Sequence, residues 1–434
     1  MPPGCLLSAG SNARGQLGTG NLDDAYTFSS CVFDGFPAGT LPASTENVTH
    51  VSCGANHTLV LLDRRCGLEL WGCGDGSKGQ LGPSYIADVQ ASGGSMCVFR
   101  QLDLQLHKEG LQNYVVRHVA AGWETSYVIL SRPGSSDVLI SMGADNFGAL
   151  GSVMRHAEGS SVLRPFHVVN LGSALGLSAN ATHTVAIQFL VPGPHHVLVQ
   201  IEVALQDGPK EQYLVGWGTS RHGQLGEVVS TSGRPLSFSP LPRTITLRDG
   251  GPELGHVTSA SLGNQHTVLL HSSGRLSTLG SDRKAQLRGL ETLKDVAAIG
   301  CTWNGTYAVV RTAGQDRVMA TGSSTHGQLG RQLRAENDTH HAPLAAVEFP
   351  PSLTTWRVVK MACGSEHVLC LLASSDSAEA EVWGWGWNEH GNLGIGHTEN
   401  GEVPVMIWQT CPEDGGRAAD VWSGCGTSWI FVKR

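Results

Sequence analysis

Apolar residues in this chain come in short runs, and each run breaks at a turn built on glycine. Val51-Ser52-Cys53 leads into Gly54-Ala55-Asn56, and a second run, His57-Thr58-Leu59-Val60-Leu61-Leu62, follows at once. Copies read Val119 to Ser126 through Gly122-Trp123-Glu124-Thr125, Leu177 to Thr184 through Asn180 and His183, Ala260 to Thr267 through Gly263 and His266, and Met361 to Val368 through Gly364 and His367. Two irregular copies run from Ala298 to Tyr307 and from Trp422 to Trp429. A short run, a turn and a β-rich run predict a hairpin. A third run, such as Leu68 to Trp71 or Glu381 to Trp383, follows it. Proline-bearing stretches, Arg164 to Val169 and Val403 to Val405, suit an outer edge strand, where a missing amide does little harm.

A second phrase, Gly-x-x-x-x-Gly-Gln-Leu-Gly, alternates with the first. It closes at Gly15-Gln16-Leu17-Gly18, Gly79-Gln80-Leu81-Gly82, Gly148-Ala149-Leu150-Gly151, Gly223-Gln224-Leu225-Gly226, Gly327-Gln328-Leu329-Gly330 and Gly391-Asn392-Leu393-Gly394. A worn copy, Gly280 to Ala285-Gln286-Leu287-Arg288, makes the seventh. Such a period marks a repeat architecture. Each unit predicts an antiparallel sheet of three or four strands, and seven in a ring predict an all-β, seven-bladed β-propeller. The glycines supply positive φ or close backbone approach, and the leucines are expected to fill the space between blades. Residues 1–434 read as one domain. The strand Cys5 to Ser8 is expected to complete the blade formed by the hairpin Ala419 to Val432, closing the ring between two otherwise open edges.

Composition narrows the function. Charged residues are 15% and aromatics 6% of the 434, with 56 glycines, as a turn-dense β body requires. The net charge of -8 leaves no basic footprint for direct nucleic-acid binding. No apolar stretch is long enough to span a bilayer, and Met1 to Leu7 lacks the pattern of a signal peptide. The 11 cysteines read as reduced thiols of a cytoplasmic and nuclear protein. Gly72-Cys73-Gly74 and Gly384-Trp385-Gly386 superficially match a dinucleotide fingerprint, but no helical periodicity follows to cradle a pyrophosphate. His57, His183, His266 and His367 recur one per unit and lack metal-ligand spacing, so they are expected to bond locally. Asn56 and Asn180, though in Asn-x-Thr sequons, read as turn residues. No nucleophile elbow or carboxylate pair stands out; the reading is of a non-enzyme with no catalytic residue, cofactor or metal.

These two phrases resemble the regulator of chromosome condensation repeat family, whose members include an exchange factor for the small GTPase Ran. Ala121 to Ser126, Cys301-Thr302-Trp303, Trp383 to Asn392 and Cys425 to Ile430 resemble, more narrowly, the fungal alpha-tubulin suppressor (killer-toxin insensitivity) proteins of that family. That resemblance implies binding to a small CSL-type zinc protein, as a heterodimer, in diphthamide synthesis on elongation factor 2 and in Elongator-dependent modification of tRNA wobble uridine, with the Elongator complex a further partner. The broader family implies the alternative, an exchange factor or regulator for a Ran-like small GTPase. The chain is longer than the narrower resemblance implies, with insertions near 83–118, 190–213 and 227–257. The alternating stretch His196 to Leu205 reads as an inserted hairpin arm or as a lengthened blade strand.

Alternating strand direction puts the first–second and third–fourth turns on one face. That face carries Trp123, Glu124, Trp303, Trp387, Glu389 and His390, the expected partner-binding residues, since tryptophan in turns suits an interface anchor. Trp303 fits a plug of the channel mouth equally well.

Overall fold

The computed structural model describes residues 4–91, 95–152, 165–176, 183–205, 209–229, 233–247, 252–313, 315–332, 341–353, 356–374, 379–410 and 416–434. Its strands form seven antiparallel sheets, six of four strands and one of three, arranged as the blades of a propeller. The seven innermost strands are Thr45–Cys53, Val115–Ala121, His183–Pro192, Val257–Leu262, Val296–Cys301, Trp356–Cys363 and Arg417–Ser423, and they start blades one to seven in that order. Each packs against the next, and the seventh against the first, so the ring closes around a central channel. In blade seven the strand Gly4–Gly10 pairs along its length with Thr427–Lys433, from Gly4 opposite Lys433 to Gly10 opposite Thr427. Ala25–Ser30 is its outer strand.

The core sits between blades. Leu17, Leu81, Leu150, Leu225, Leu329 and Leu393, the leucines of the repeated phrase, are all buried. Leu17 packs with Leu6 and Trp429 of blade seven and with Val51, Val60 and Trp71 of blade one. The phrase needs its glutamine for a local reason. Gln16 Oε1 accepts the amide of Arg14 at 2.9 Å, and Gln80, Gln224, Gln286 and Gln328 tie down Lys78, His222, Lys284 and His326 in the same way. The glycine that opens the phrase is required by space as well as by φ. Gly74 has φ +96°, and a Cβ there would lie 2.4 Å from the carbonyl oxygen of Asn56.

One segment departs from the expectation. The blade three hairpin turn is not at Leu177 to His183. Residues 177–182 lie outside the described residues, and His183 opens the innermost strand. The turn is Gly193-Pro194-His195, between strands His183–Pro192 and His196–Leu205, so His196 takes the place that His57 holds in blade one. Consequently the segment 190–213 holds a blade's own hairpin, and His196–Leu205 is a lengthened blade strand, paired on both sides. Asn180 likewise lies outside the described residues. Blade four lies within the expected three or four strands but differs from the other six: among the described residues it has three, Val257–Leu262, His266–His271 and Leu276–Gly280. It carries the worn phrase, where Ala285 replaces a glycine yet keeps φ +58°.

Candidate partner-binding face

Every innermost strand is interrupted at the same place by an irregularity that leaves one residue without a partner. A bulge re-aims the side chain that follows it. The residues after the seven bulges are His50, His118, Phe189, Ser259, Ala298, Lys360 and Asp420, each half-buried. They make a belt around the channel. The rings of His50 and His118 lie 4.6 Å apart, Lys360 Nζ donates to Asp420 Oδ1 at 2.7 Å, and the same ammonium sits 4.4 Å from the Trp422 ring. Burial, with His118 and Lys360 close by, pushes His50 down to about 3, so the imidazole is neutral. Burial also lowers Lys360, opposed by Asp420.

The channel holds a cavity of about 400 Å³, lined by His50 and Lys360 of the belt and by both Trp123 and Trp303. Their ring centroids are 5.9 Å apart. Each occupies the second position of its hairpin turn, and backbone bonds fix that position. Ala55 N–H donates to Trp123 O, Trp123 N–H to Pro194 O, Asn264 N–H to Trp303 O, Trp303 N–H to Ser365 O and Ser365 N–H to Gly424 O. The turns thus form a directional collar around the mouth. Among the described residues its order breaks twice: after blade three, where Pro194 has no N–H to give, and between blades seven and one, where the turn at Cys425 makes no such bond to the turn at Ala55.

Trp387 sits apart from this pair, in the third–fourth connection of blade six. Its Nε1 donates to Glu389 Oε2 at 3.2 Å, and His390 meets its ring edge-on at 5.4 Å. His390 Nδ1 bonds Asp24 Oδ2 of blade seven at 2.8 Å. Glu124 turns outward and accepts from Asn146 Nδ2 at 2.7 Å. The six residues therefore fall into a channel-mouth pair with Glu124 beside it and a rim group of Trp387, Glu389 and His390. The turn of blade six joins them, since Trp303 N–H bonds Ser365 O and Trp387 N–H bonds Glu366 O.

Sequence reasoning missed two neighbours. His195 packs against Trp123 at 5.8 Å, and Phe147 against His195 at 5.4 Å, so four rings run from blade two to blade five. Phe147 is 54% exposed with φ +58°, an uncommon backbone state for a bulky residue. Its signal was present: it fills the loop position where the other copies carry Arg14, Lys78, His222, Lys284, His326 and His390.

The repeated histidines act below this surface. His57 Nε2 meets Ser126 Oγ at 2.9 Å, His196 Nε2 meets Thr267 Oγ1 at 3.1 Å, His266 Nε2 meets Thr306 Oγ1 at 3.1 Å, and His367 Nε2 meets Ser428 Oγ at 3.0 Å. Each ring bonds a hydroxyl of the next blade. Burial pushes them down to about 4, 3, 4 and 4. Every cysteine among the described residues is a free thiol. Burial raises Cys53 and Cys425 to about 11, which leaves them poor nucleophiles. No helix among the described residues is long and apolar enough to cross a membrane.

The chain resembles known proteins along nearly all of its length. It is 25% identical to the secretion-regulating guanine nucleotide exchange factor of Mus musculus, over 98% of this chain and 82% of that protein. It is also 25% identical to an RCC1 repeat-containing protein of Schizosaccharomyces pombe, over 99% of both. Among solved structures, Prp20p of Saccharomyces cerevisiae superposes with a TM-score of 0.69 at 17% identity, covering 100% of this chain and 92% of that one. Family models of the regulator of chromosome condensation (RCC1) repeat match residues 3–61, 315–371 and 379–428, and a second such model matches 48–80 and 358–392. With those matches and seven blades closed around one channel, the chain is a seven-bladed propeller that carries repeats of the regulator of chromosome condensation (RCC1) type.

Proposed function

We propose that this chain is a non-enzymatic, protein-binding propeller whose partner docks on the face that bears Trp123, Glu124, Trp303, Trp387, Glu389 and His390. The observation that carries this reading is the half-buried Trp123–Trp303 pair, held in contact over the channel mouth. Aromatic rings half-buried in backbone-fixed turns are pre-organised anchors, and tryptophan is enriched among the residues that dominate binding energy. The partner we favour is a small CSL-type zinc protein, bound as a heterodimer in the cytoplasm and nucleus. Its support is the resemblance of Ala121 to Ser126, Trp383 to Asn392 and Cys425 to Ile430 to the fungal alpha-tubulin suppressor proteins. The role would then be support of diphthamide synthesis and of Elongator-dependent wobble-uridine modification.

A second reading has its own observation. The mouse relative is named as a guanine nucleotide exchange factor, and the yeast structure was described together with binding to Gsp1p and histones. Exchange activity on a Ran-like GTPase is the competing function. Titration calorimetry of the purified chain against the zinc protein separates the two, run beside release of labelled GDP from the GTPase. Trp123→Ala and Trp387→Ala are each expected to weaken the zinc protein about thirtyfold, or about 2 kcal/mol, with melting unchanged. Wild-type affinity in both variants would move the docking site to the opposite face. Accelerated GDP release without zinc-protein binding would establish the second function in place of the first.

A further inference from the structure

Blade four has an open edge. Its third strand, Leu276–Gly280, pairs with His266–His271 on one side and, among the described residues, with no strand on the other. The alternation of the ladder identifies the outward groups. Ser281 N–H bonds Gln265 O, and Arg275 O accepts from His271 N–H. Residues 277 and 279 therefore bond inward, while the amides and carbonyls of Leu276, Thr278 and Gly280 point away. Other blades show what belongs there. The carbonyl in the position of Leu276 is Leu70, Leu139, Leu214 or Val318, and each accepts an amide of its fourth strand, from Leu102, Val169, Ile245 or Val347. Leu276 has no such donor among the described residues. The third strand is correspondingly less covered: Leu276, Ser277, Leu279 and Gly280 are half-buried and Thr278 is exposed, whereas Leu70 and Trp71 are buried in blade one.

The connection that replaces the fourth strand is cationic. Between residues 275 and 295 stand Arg275, Arg283, Lys284, Arg288 and Lys294 against Asp282, Glu291 and Asp295, on a chain whose net charge is -8. Arg283, Lys284, Arg288 and Lys294 are exposed. Of these only Arg288 has an acidic partner among the described residues, Asp282 at 3.9 Å. In blade three, Arg221 extends the positive sector: it and Arg283 both help depress His222 below its usual range, after burial.

We propose that blade four is completed by an extended acidic segment of another protein, which adds as its fourth strand along Leu276–Gly280. Backbone bonds from Leu276, Thr278 and Gly280 would supply the register, and the exposed cations would select acidic side chains. The strand edge is distinct from the tryptophan cluster, although Arg283 and Lys284 stand at the loop positions of Glu389 and His390 on the same face, and the proposal does not depend on which partner binds the tryptophans.

The test uses the full chain and a labelled, end-capped heptapeptide, Asp-Val-Glu-Val-Glu-Val-Asp, followed by fluorescence anisotropy. Three comparisons accompany it: a lysine-for-acid version, a version N-methylated on alternate amides, and the variant Thr278→Pro. Thr278 bonds to no neighbour among the described residues through its amide, so proline there leaves the folded ladder whole and blocks an added strand. Binding is expected to weaken by at least about tenfold in all three. Exchange of the Thr278 and Gly280 amides is expected to slow by at least about tenfold when the acidic peptide saturates. Should Thr278→Pro fail to fold, the N-methylated peptide carries the test on the unaltered protein. Equal affinity for the N-methylated or the basic peptide overturns the proposal, as does unchanged exchange at Thr278 and Gly280. Concentration-dependent self-association that protects those two amides also overturns it, by assigning the edge to a second copy.

Discussion

Acidification should weaken the ring through the four inter-blade histidines, and the effect can be sized. His57, His196, His266 and His367 titrate at about 4, 3, 4 and 4 in the folded chain against 6.5 when unfolded. The folded state thus takes up a proton later than the unfolded state, so stability is complete above 6.5 and is lost as pH falls from there toward the folded values. At about pH 5 an unfolded histidine is almost fully protonated while the buried one is still neutral, a difference of about 2 kcal/mol per site. Four sites give about 8 kcal/mol as an upper figure, comparable with the whole stability of an ordinary domain. His50 and His118, both lowered by burial, act in the same direction. Urea unfolding at about pH 7.5 and about pH 5 measures the loss. Replacing one ring by a side chain that cannot titrate, His196→Gln, removes a donor or acceptor at either pH but should shrink the pH-dependent part by about 2 kcal/mol. If the variant loses as much on acidification as the parent chain, the buried neutral imidazole is not the source and the reasoning fails.

Three further outcomes are expected. Ala285→Gly, at the one repeated glycine position that carries a side chain with φ +58°, should raise stability by about 0.5–1 kcal/mol in the same urea assay. Deleting residues 421–434 removes the partner of Gly4–Gly10 and should leave a chain that aggregates and is rapidly cut by protease; equal solubility and melting temperature would exclude that closure. In acid, amide exchange should rise first in Val257–Leu262 and His266–His271, read by mass spectrometry; a uniform rise across the blades would count against a weak fourth blade.

The fold was legible because its repeat is written in residues with a single physical use. Leu17 and its equivalents fill gaps between blades, and Gly74 stands where any Cβ would strike Asn56. Blade three was misread because its real turn, Gly193-Pro194-His195, is rich in proline, and His196 is followed by Val197 rather than by threonine. The stretch Leu177 to Thr184 copies the phrase better than the true hairpin does, and only pairing decides between them. Of the candidate face, the tryptophans were legible as aromatics in turns. Their grouping was not, since whether Trp123 meets Trp303 or Trp387 depends on how the turns of separate blades converge. Phe147 and His195 escaped for the same reason: their role exists only in the row of rings they complete.

Sequence irregularity and structural weakness coincide in blade four. Pro194 withholds the backbone donor that the turns of blades one, two, four, five and six offer their neighbour, so the collar does not continue from blade three into blade four. Among the described residues the same blade has no fourth strand. What holds it on the blade three side is made by side chains: His196 to Thr267, and Gln200 Nε2 donating to Val257 O at 2.9 Å. On the blade five side Asn264 still reaches Trp303, beside His266 to Thr306. Titratable latches therefore flank the one blade with the least backbone support. A closed ring opens where its joints are weakest, and the joints here are weakened by the protonation that His196 and His266 resist while buried. An added strand at Leu276–Gly280 would restore the missing ladder and so should oppose that opening, which ties the acid sensitivity of the ring to occupancy of its free edge.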